Sequence, residues 1–143
     1  MVHRSHRNYI LFDHTADLGL EVYGDDEGEL FCNAAFALFD IMYDTEAVAV
    51  RVRRDMAVEG SDREDLLVNF LRELLYLCNG EGLLLKEFIM LRFGDHRLEG
   101  TVGGERYDPD RHRLHQEIKA VTYHQVRVEE TGGGWKGRVI FDV

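Results

Sequence analysis

Residues 61–80 read SDREDLLVNFLRELLYLCNG, and the fold follows from how this stretch is read. Leu66, Leu67, Phe70, Leu71, Leu74, Leu75 and Cys78 recur at the spacing of one helix face, a period of roughly 3.6 residues. S-D-R-E at 61–64 has the pattern of a capping box. In it the Ser61 hydroxyl and the Glu64 carboxylate satisfy backbone N–H groups that the first turn leaves open. Gly80 supplies a C-terminal cap. Working back, residues 27 to 44 repeat the pattern, with Leu30, Phe31, Ala34, Ala35, Leu38, Phe39 and Met42 on one face.

Around these helices the apolar residues alternate with the period of strands. Leu18, Leu20 and Val22 oppose Gly19, Glu21 and Tyr23; Val48, Val50 and Val52 begin a strand whose phase resumes at Met56 and Val58. Further strands are expected over 87–93, 97–103, 118–128 and 135–143. The glycines at 132–134 suit the turn of a final hairpin, and Gly103 and Gly104 suit another turn. The order is strand, helix, strand, helix, then a run of short strands. That predicts an α+β domain, with two helices packed on one face of a mainly antiparallel sheet.

The 143 residues suit one domain, expected over 9–143 after a flexible segment at 1–8 that carries His3 and His6. Apolar residues make up 45% and charged residues 31%, and no apolar run approaches the roughly 20 residues of a membrane span. The basic start MVHRSHRNY lacks the apolar centre of an export signal, which points to a cytoplasmic address. Cys32 and Cys78 lie far apart in the two helices and are expected to be reduced. The net charge of −10 disfavours autonomous nucleic-acid binding and favours basic protein partners or cations.

Two acidic stretches stand apart from this frame. DHTAD at 13–17 separates the apolar runs YILF and LGLEVY, and FDV closes the chain directly after RVI. One reading is structural: Asp13 and Asp17 cap turns, and Thr15 bonds the local backbone. The other is a hard-cation site, because calcium and magnesium take carboxylate and carbonyl oxygens. Val139, Phe141 and Val143 continue a strand to the last residue, which would fix the main-chain carboxylate of Val143 beside Asp142. Such a pair repels unless a lysine or a divalent ion lies nearby.

The histidines point less sharply. His112 and His115 have H-x-x-H spacing but sit in a polar stretch with no third soft ligand, so zinc is poorly supported. His124 lies on an expected strand, where a half-buried structural role is the ordinary one; His14 suits a general base or a partner of the ligands. Arg51, Arg53 and Arg54 suit a solvated strand face. No phosphate-binding loop, dinucleotide fingerprint or nucleophile elbow is present.

Five blocks together resemble the archease family: DHTADLGLEVYG, ELFCNAAFALFDIM, SDREDLLVNFLRELLYL, IKAVTYHQVRVE and VIFDV, in order from Tyr9 to Val143. The resemblance implies a small α+β fold of the SHS2 type with an inserted group of strands. It also implies a cytoplasmic accessory protein, not an enzyme, whose partner is a GTP-dependent tRNA-splicing ligase of the RtcB type. That ligase joins a 2′,3′-cyclic phosphate or 3′-phosphate end to a 5′-hydroxyl, and the accessory protein promotes its guanylylation and repeated turnover. The family's metal site falls on Asp17, Asp142 and Val143, holding calcium, magnesium or manganese. Asp13 matches an acidic position of the motif, while His14 and His124 are candidates for supporting the ligands or touching the partner. Two rival functions remain: a metal-dependent phosphoester hydrolase with His14 or His124 as base, and a chaperone-like interaction module.

Overall fold

The computed structural model describes residues 8–143. His3, His6 and the rest of the expected flexible segment up to residue 7 lie outside them. Asn8 is tied to the fold, its carbonyl accepting a hydrogen bond from Tyr23 N at 2.9 Å. The elements run β1 (Tyr9–His14), β2 (Asp17–Gly24), α1 (Glu27–Met42), β3 (Val52–Glu59), α2 (Arg63–Asn79), β4 (Leu83–Phe93), β5 (Arg97–Arg106), β6 (Ala120–Thr131) and β7 (Gly134–Asp142).

Both helices start on the same device, an aspartate cap answered by an acid three residues on. Asp26 accepts from Glu29 N at 2.8 Å, and Glu29 reaches back to Asp25 N at 2.6 Å. Asp62 accepts from Asp65 N at 2.8 Å, and Asp65 reaches back to Ser61 N at 2.8 Å. The box on α2 is therefore shifted one residue from S-D-R-E to D-R-E-D, because the Asp62 carboxylate reaches the third helical N–H. Glu64 is thereby released to accept from Val128 N at 3.0 Å, which ties β6 to the helix. Helix α1 stops at Met42, since the Tyr43 hydroxyl is held by β4, donating to Leu85 O at 2.8 Å and accepting from Leu85 N at 2.7 Å.

The strands form two antiparallel sheets, ordered β1-β2-β7-β6 and β3-β5-β4. The helices pack on one face of the four-stranded sheet, and the inserted strands β3 to β5 cover the helices' other side. Helix α1 meets both β2 and β4, and α2 meets both β6 and β3. Each helix is consequently apolar over more than one stripe; Leu30, Phe31, Ala34, Ala35, Leu38 and Phe39 of α1 are all fully buried. Phe70 centres the α2 side of this core, with its ring 5.8 Å from Phe31 and 4.9 Å from Phe88.

Three local expectations change. The run Val48–Val52 follows a single 3-10 turn at Thr45–Ala47, and the strand begins only at Val52. Gly103 and Gly104 are not a turn but lie within β5, paired with Arg53 and Val52 on one side. A Cβ at Gly104 would overlap the Leu84 backbone, so glycine here permits the close approach of β4. The last hairpin turns on Gly132 and Gly133, as the glycine run predicts. Strand β6, expected as continuous from residue 118, starts at Ala120 and is interrupted by a bulge between Thr122 and Arg127.

Candidate metal centre

The DHTAD stretch is the turn of the β1–β2 hairpin. His14 pairs with Asp17, and Thr15 and Ala16 bridge them with φ values of 42° and 70°. A two-residue hairpin turn of this hand needs positive φ at both positions, a conformation that Asn and Gly adopt readily and Thr does not. The turn is therefore strained at the residues between the two candidate groups.

Strand register then brings the two acidic stretches together. Strand β2 pairs with β7 through Leu18↔Phe141 and Leu20↔Val139. Those four side chains face the helices, and alternation turns Asp17, Gly19, Asp142 and Ile140 to the opposite, outer face. Asp17 and Asp142 thus sit one step beyond the last registered pair, on the same face at the same end of the sheet. Ala120 of β6 flanks Asp142 on its other side, and Lys119 N donates to Asp142 O at 2.7 Å. The Val143 side chain packs against the core, so the backbone that follows Asp142 is anchored.

Two histidines complete the outer face. His14 Nδ1 lies 3.9 Å from Asp17 Oδ2, and the His14 ring meets the His124 ring edge-on at 5.2 Å between centroids. His124 is exposed on the β6 bulge instead of half-buried in a regular strand, the bulge turning it out of the ladder. Gln125 beside it takes φ 56°, and its Oε1 accepts from Arg138 at 3.0 Å. Arg138 also reaches Glu21 at 3.3 Å and stacks over Phe12 at 4.3 Å, strapping the bulge to β2. The Phe12 ring in turn lies across Gly19, where a Cβ would overlap it. The sequence holds no cue to this bulge; the register shift of β6 and the positive φ of Gln125 reveal it, and both are properties of the folded chain.

Other candidates do not join the cluster. Asp13 pairs with Leu18, so it turns to the other face from His14 and Asp17. His112 is buried and structural: Nδ1 accepts from Asp108 N at 2.8 Å and Nε2 donates to Glu105 at 2.9 Å. His115 is exposed, so the H-x-x-H pair diverges. Glu105, 3% exposed, also accepts from Ala49 N at 2.7 Å and from Arg51 and Arg111. The Ala49 N–H and the His112 ring hold its carboxyl down at about 2. The other arginines of this strand face are paired, Arg53 with Glu87 and Arg54 with Glu81.

Chemically, the outer-face end of the sheet is suited to a cation. Among the described residues, no lysine or arginine is paired with Asp17 or Asp142. His14 Nδ1 is shut off from solvent and has no hydrogen-bond partner there. Two carboxylates and an orphaned imidazole nitrogen form a donor set of the right kind. It is not closed: among the described residues, no three His, Cys, Asp or Glu side chains are gathered into a metal cage. Further oxygens would have to come from the main chain at Val143. No helix of the described residues is long and apolar enough to cross a membrane.

Comparison with known proteins agrees over nearly the whole chain. Residues 9–143 match the Archease protein family (MTH1598/TM1083). The chain is 38% identical over 141 residues to protein archease of Methanosarcina mazei, covering 96% of this chain and 97% of that one. It is 39% identical over 141 residues to protein archease of Pyrococcus furiosus, covering 96% and 99%. The solution structure of Methanobacterium thermoautotrophicum protein 1598 superposes with a TM-score of 0.81 at 36% identity, covering 96% of this chain and 99% of that one. The chain belongs to the archease family.

Proposed function

We propose that the chain is a cytoplasmic accessory protein that binds a divalent cation and activates a GTP-dependent RNA ligase of the RtcB type. It promotes guanylylation and repeated turnover of that ligase in tRNA splicing and RNA repair, and has no turnover of its own. The observation that supports the reading is the β2–β7 register, which ends at Leu18↔Phe141 with Asp17 and Asp142 as the next residues of the two strands, neither paired with a lysine or arginine among the described residues. Membership of the archease family supplies the functional class.

In this reading Asp17, Asp142 and the main-chain oxygen of Val143 hold calcium, magnesium or manganese. A bound ion with open positions supplies positive charge that can engage a phosphate oxygen of the partner or its nucleotide. The protein's own contributions are placement and docking. Strand pairing fixes both carboxylates on rigid elements, and the net charge of −10 complements the basic surface of an RNA-binding enzyme.

The test is a multiple-turnover ligation assay with a stalled ligase. Wild-type protein restores turnover, whereas Asp17→Ala and Asp142→Ala, both exposed or half-exposed and outside the core, keep the fold but lose stimulation. Wild-type stimulation by both variants would remove the cation from the mechanism. Turnover of phosphoester substrates with metal but without ligase would favour a hydrolase.

A further inference from the structure

We propose that the cavity between the C-termini of α1 and α2 and the 107–118 segment binds a small organic ammonium, an apolar body carrying one positively charged end. None of its lining residues belongs to the β1–β2 hairpin, and the site goes beyond the accessory role above.

The cavity measures about 580 Å³, inside the range of small-molecule sites. Its floor is apolar core, made by Met42, Tyr43, Cys78, Leu84 and Ile118, each buried. The Tyr43 hydroxyl is spent on Leu85, donating to its carbonyl at 2.8 Å, so the floor offers no free donor there. The walls are held by the main chain. His115 N donates to Met42 O at 2.8 Å, Asp44 N to Arg113 O at 3.0 Å, and Tyr107 N to Gly82 O at 2.9 Å. Such a cavity is formed before a ligand arrives, so little ordering opposes binding.

The polar groups at the mouth select the charge. Amide donors there are already used: Asn79 Nδ2 donates to Ile118 O at 2.9 Å, and Gln116 Nε2 to Glu117 O at 3.0 Å. Acceptors are left over, namely the side-chain oxygens of Asn79 and Gln116 and the Glu117 carboxylate, which has no basic partner among the described residues. No lysine or arginine lines the cavity. Nearby guanidinium groups are drawn elsewhere, Arg106 to Glu81 O at 3.3 Å and Arg111 to Glu105 and Asp108.

The helices add to this field. Met42 and Tyr43 end α1, Cys78 and Asn79 end α2, and both ends open on the same cavity. A helix C-terminus carries about half a negative charge, which proteins commonly offset with a basic side chain in the last turn. Neither helix has one. Tyr43 and Tyr107 supply aromatic rings, whose faces attract ammonium groups. An apolar floor, leftover acceptors and two uncompensated helix ends together fit an amphipathic cation and disfavour an anion of the same shape.

The experiment titrates the full, nitrogen-15-labelled chain with three probes of one shape: 2-phenylethylammonium, 2-phenylethanol and phenylacetate. The ammonium is expected to bind tightest and phenylacetate weakest, with amide shifts centred on Met42, Cys78, Gly82 and residues 114–118. Glu117→Gln, at an exposed position, should weaken the ammonium by roughly 2–5-fold, the scale of one exposed ion pair, and leave the alcohol unchanged. Leu114→Ala, which trims an exposed wall side chain, should weaken ammonium and alcohol alike. Glu130→Gln, an exposed acid on the β6–β7 hairpin, should change nothing. Phenylacetate binding as tightly as the ammonium overturns the proposal, as do ammonium shifts that never saturate or that scatter over the acidic surface. Unchanged ammonium affinity in Glu117→Gln overturns the charge assignment.

Discussion

The Thr15-Ala16 turn offers the sharpest test of the hairpin that builds the site. Both residues are exposed, so their side chains contribute little packing, and the backbone conformation dominates any substitution there. Holding an L-residue in the left-handed region costs roughly 1–2 kcal/mol, with the β-branched Thr15 at the upper end. Replacing Thr15 by Asn relieves about 1 kcal/mol. Replacing Ala16 by Gly relieves a similar amount but returns about 0.4–1 kcal/mol through the freer unfolded chain. The double variant Thr15→Asn/Ala16→Gly should therefore be about 1–2 kcal/mol more stable. At about 2–4 °C per kcal/mol for a chain near this size, its Tm should rise by roughly 2–8 °C. Urea and thermal unfolding followed by circular dichroism measure both quantities. Because Asn-Gly prefers this same turn, His14 and Asp17 keep their pairing and cation affinity should not fall. A variant no more stable than wild type would refute the strained-turn reading.

The remaining predictions address the core and the buried charges. Phe70→Ala removes a fully buried ring from between Phe31 and Phe88 and should cost about 3–5 kcal/mol, seen as a large drop in the urea midpoint. Glu105 has its folded pKa lowered from 4.5 to about 2, so the stability it contributes is present in full above 4.5 and fades as pH falls toward 2. The stability gap between wild type and Glu105→Gln should narrow over that window; a gap independent of pH would show that the carboxylate charge is not what holds the 107–116 loop. Burial pushes the Cys32 and Cys78 thiols up to about 11. Both should resist alkylation at pH 8 in the native protein and react promptly in urea, as mass spectrometry would record. Fast native-state labelling would contradict the packing of both helices.

Much of this was legible in the order of residues. The stripes of α1 and α2 and the alternation of β2 and β7 are local, periodic consequences of one buried side, and they fix an α+β fold. The five motif blocks carried the family. Local reading failed where a residue's state depends on a distant neighbour. Gly103 and Gly104 look like a turn in isolation, yet Gly104 is needed where the β4 backbone presses on it. The Ser61 box was displaced because Asp62 and Asp65 form a competing pair in the same five residues. Nothing local assigned His112 a role; the fold supplied Glu105, seven residues earlier on β5, as its partner.

The sequence by itself determined that acids stand at 13, 17 and 142 and that strands lead into each stretch. It could not determine which of them share a face of the sheet, because side-chain direction alternates at every residue and a slip of one position reverses the face. The Leu18↔Phe141 pairing decided it, turning Asp17 and Asp142 to the outer face and Asp13 away. The approach of His124 to His14 came from a bulge and a positive φ that arise only when β6 is bent over the finished sheet.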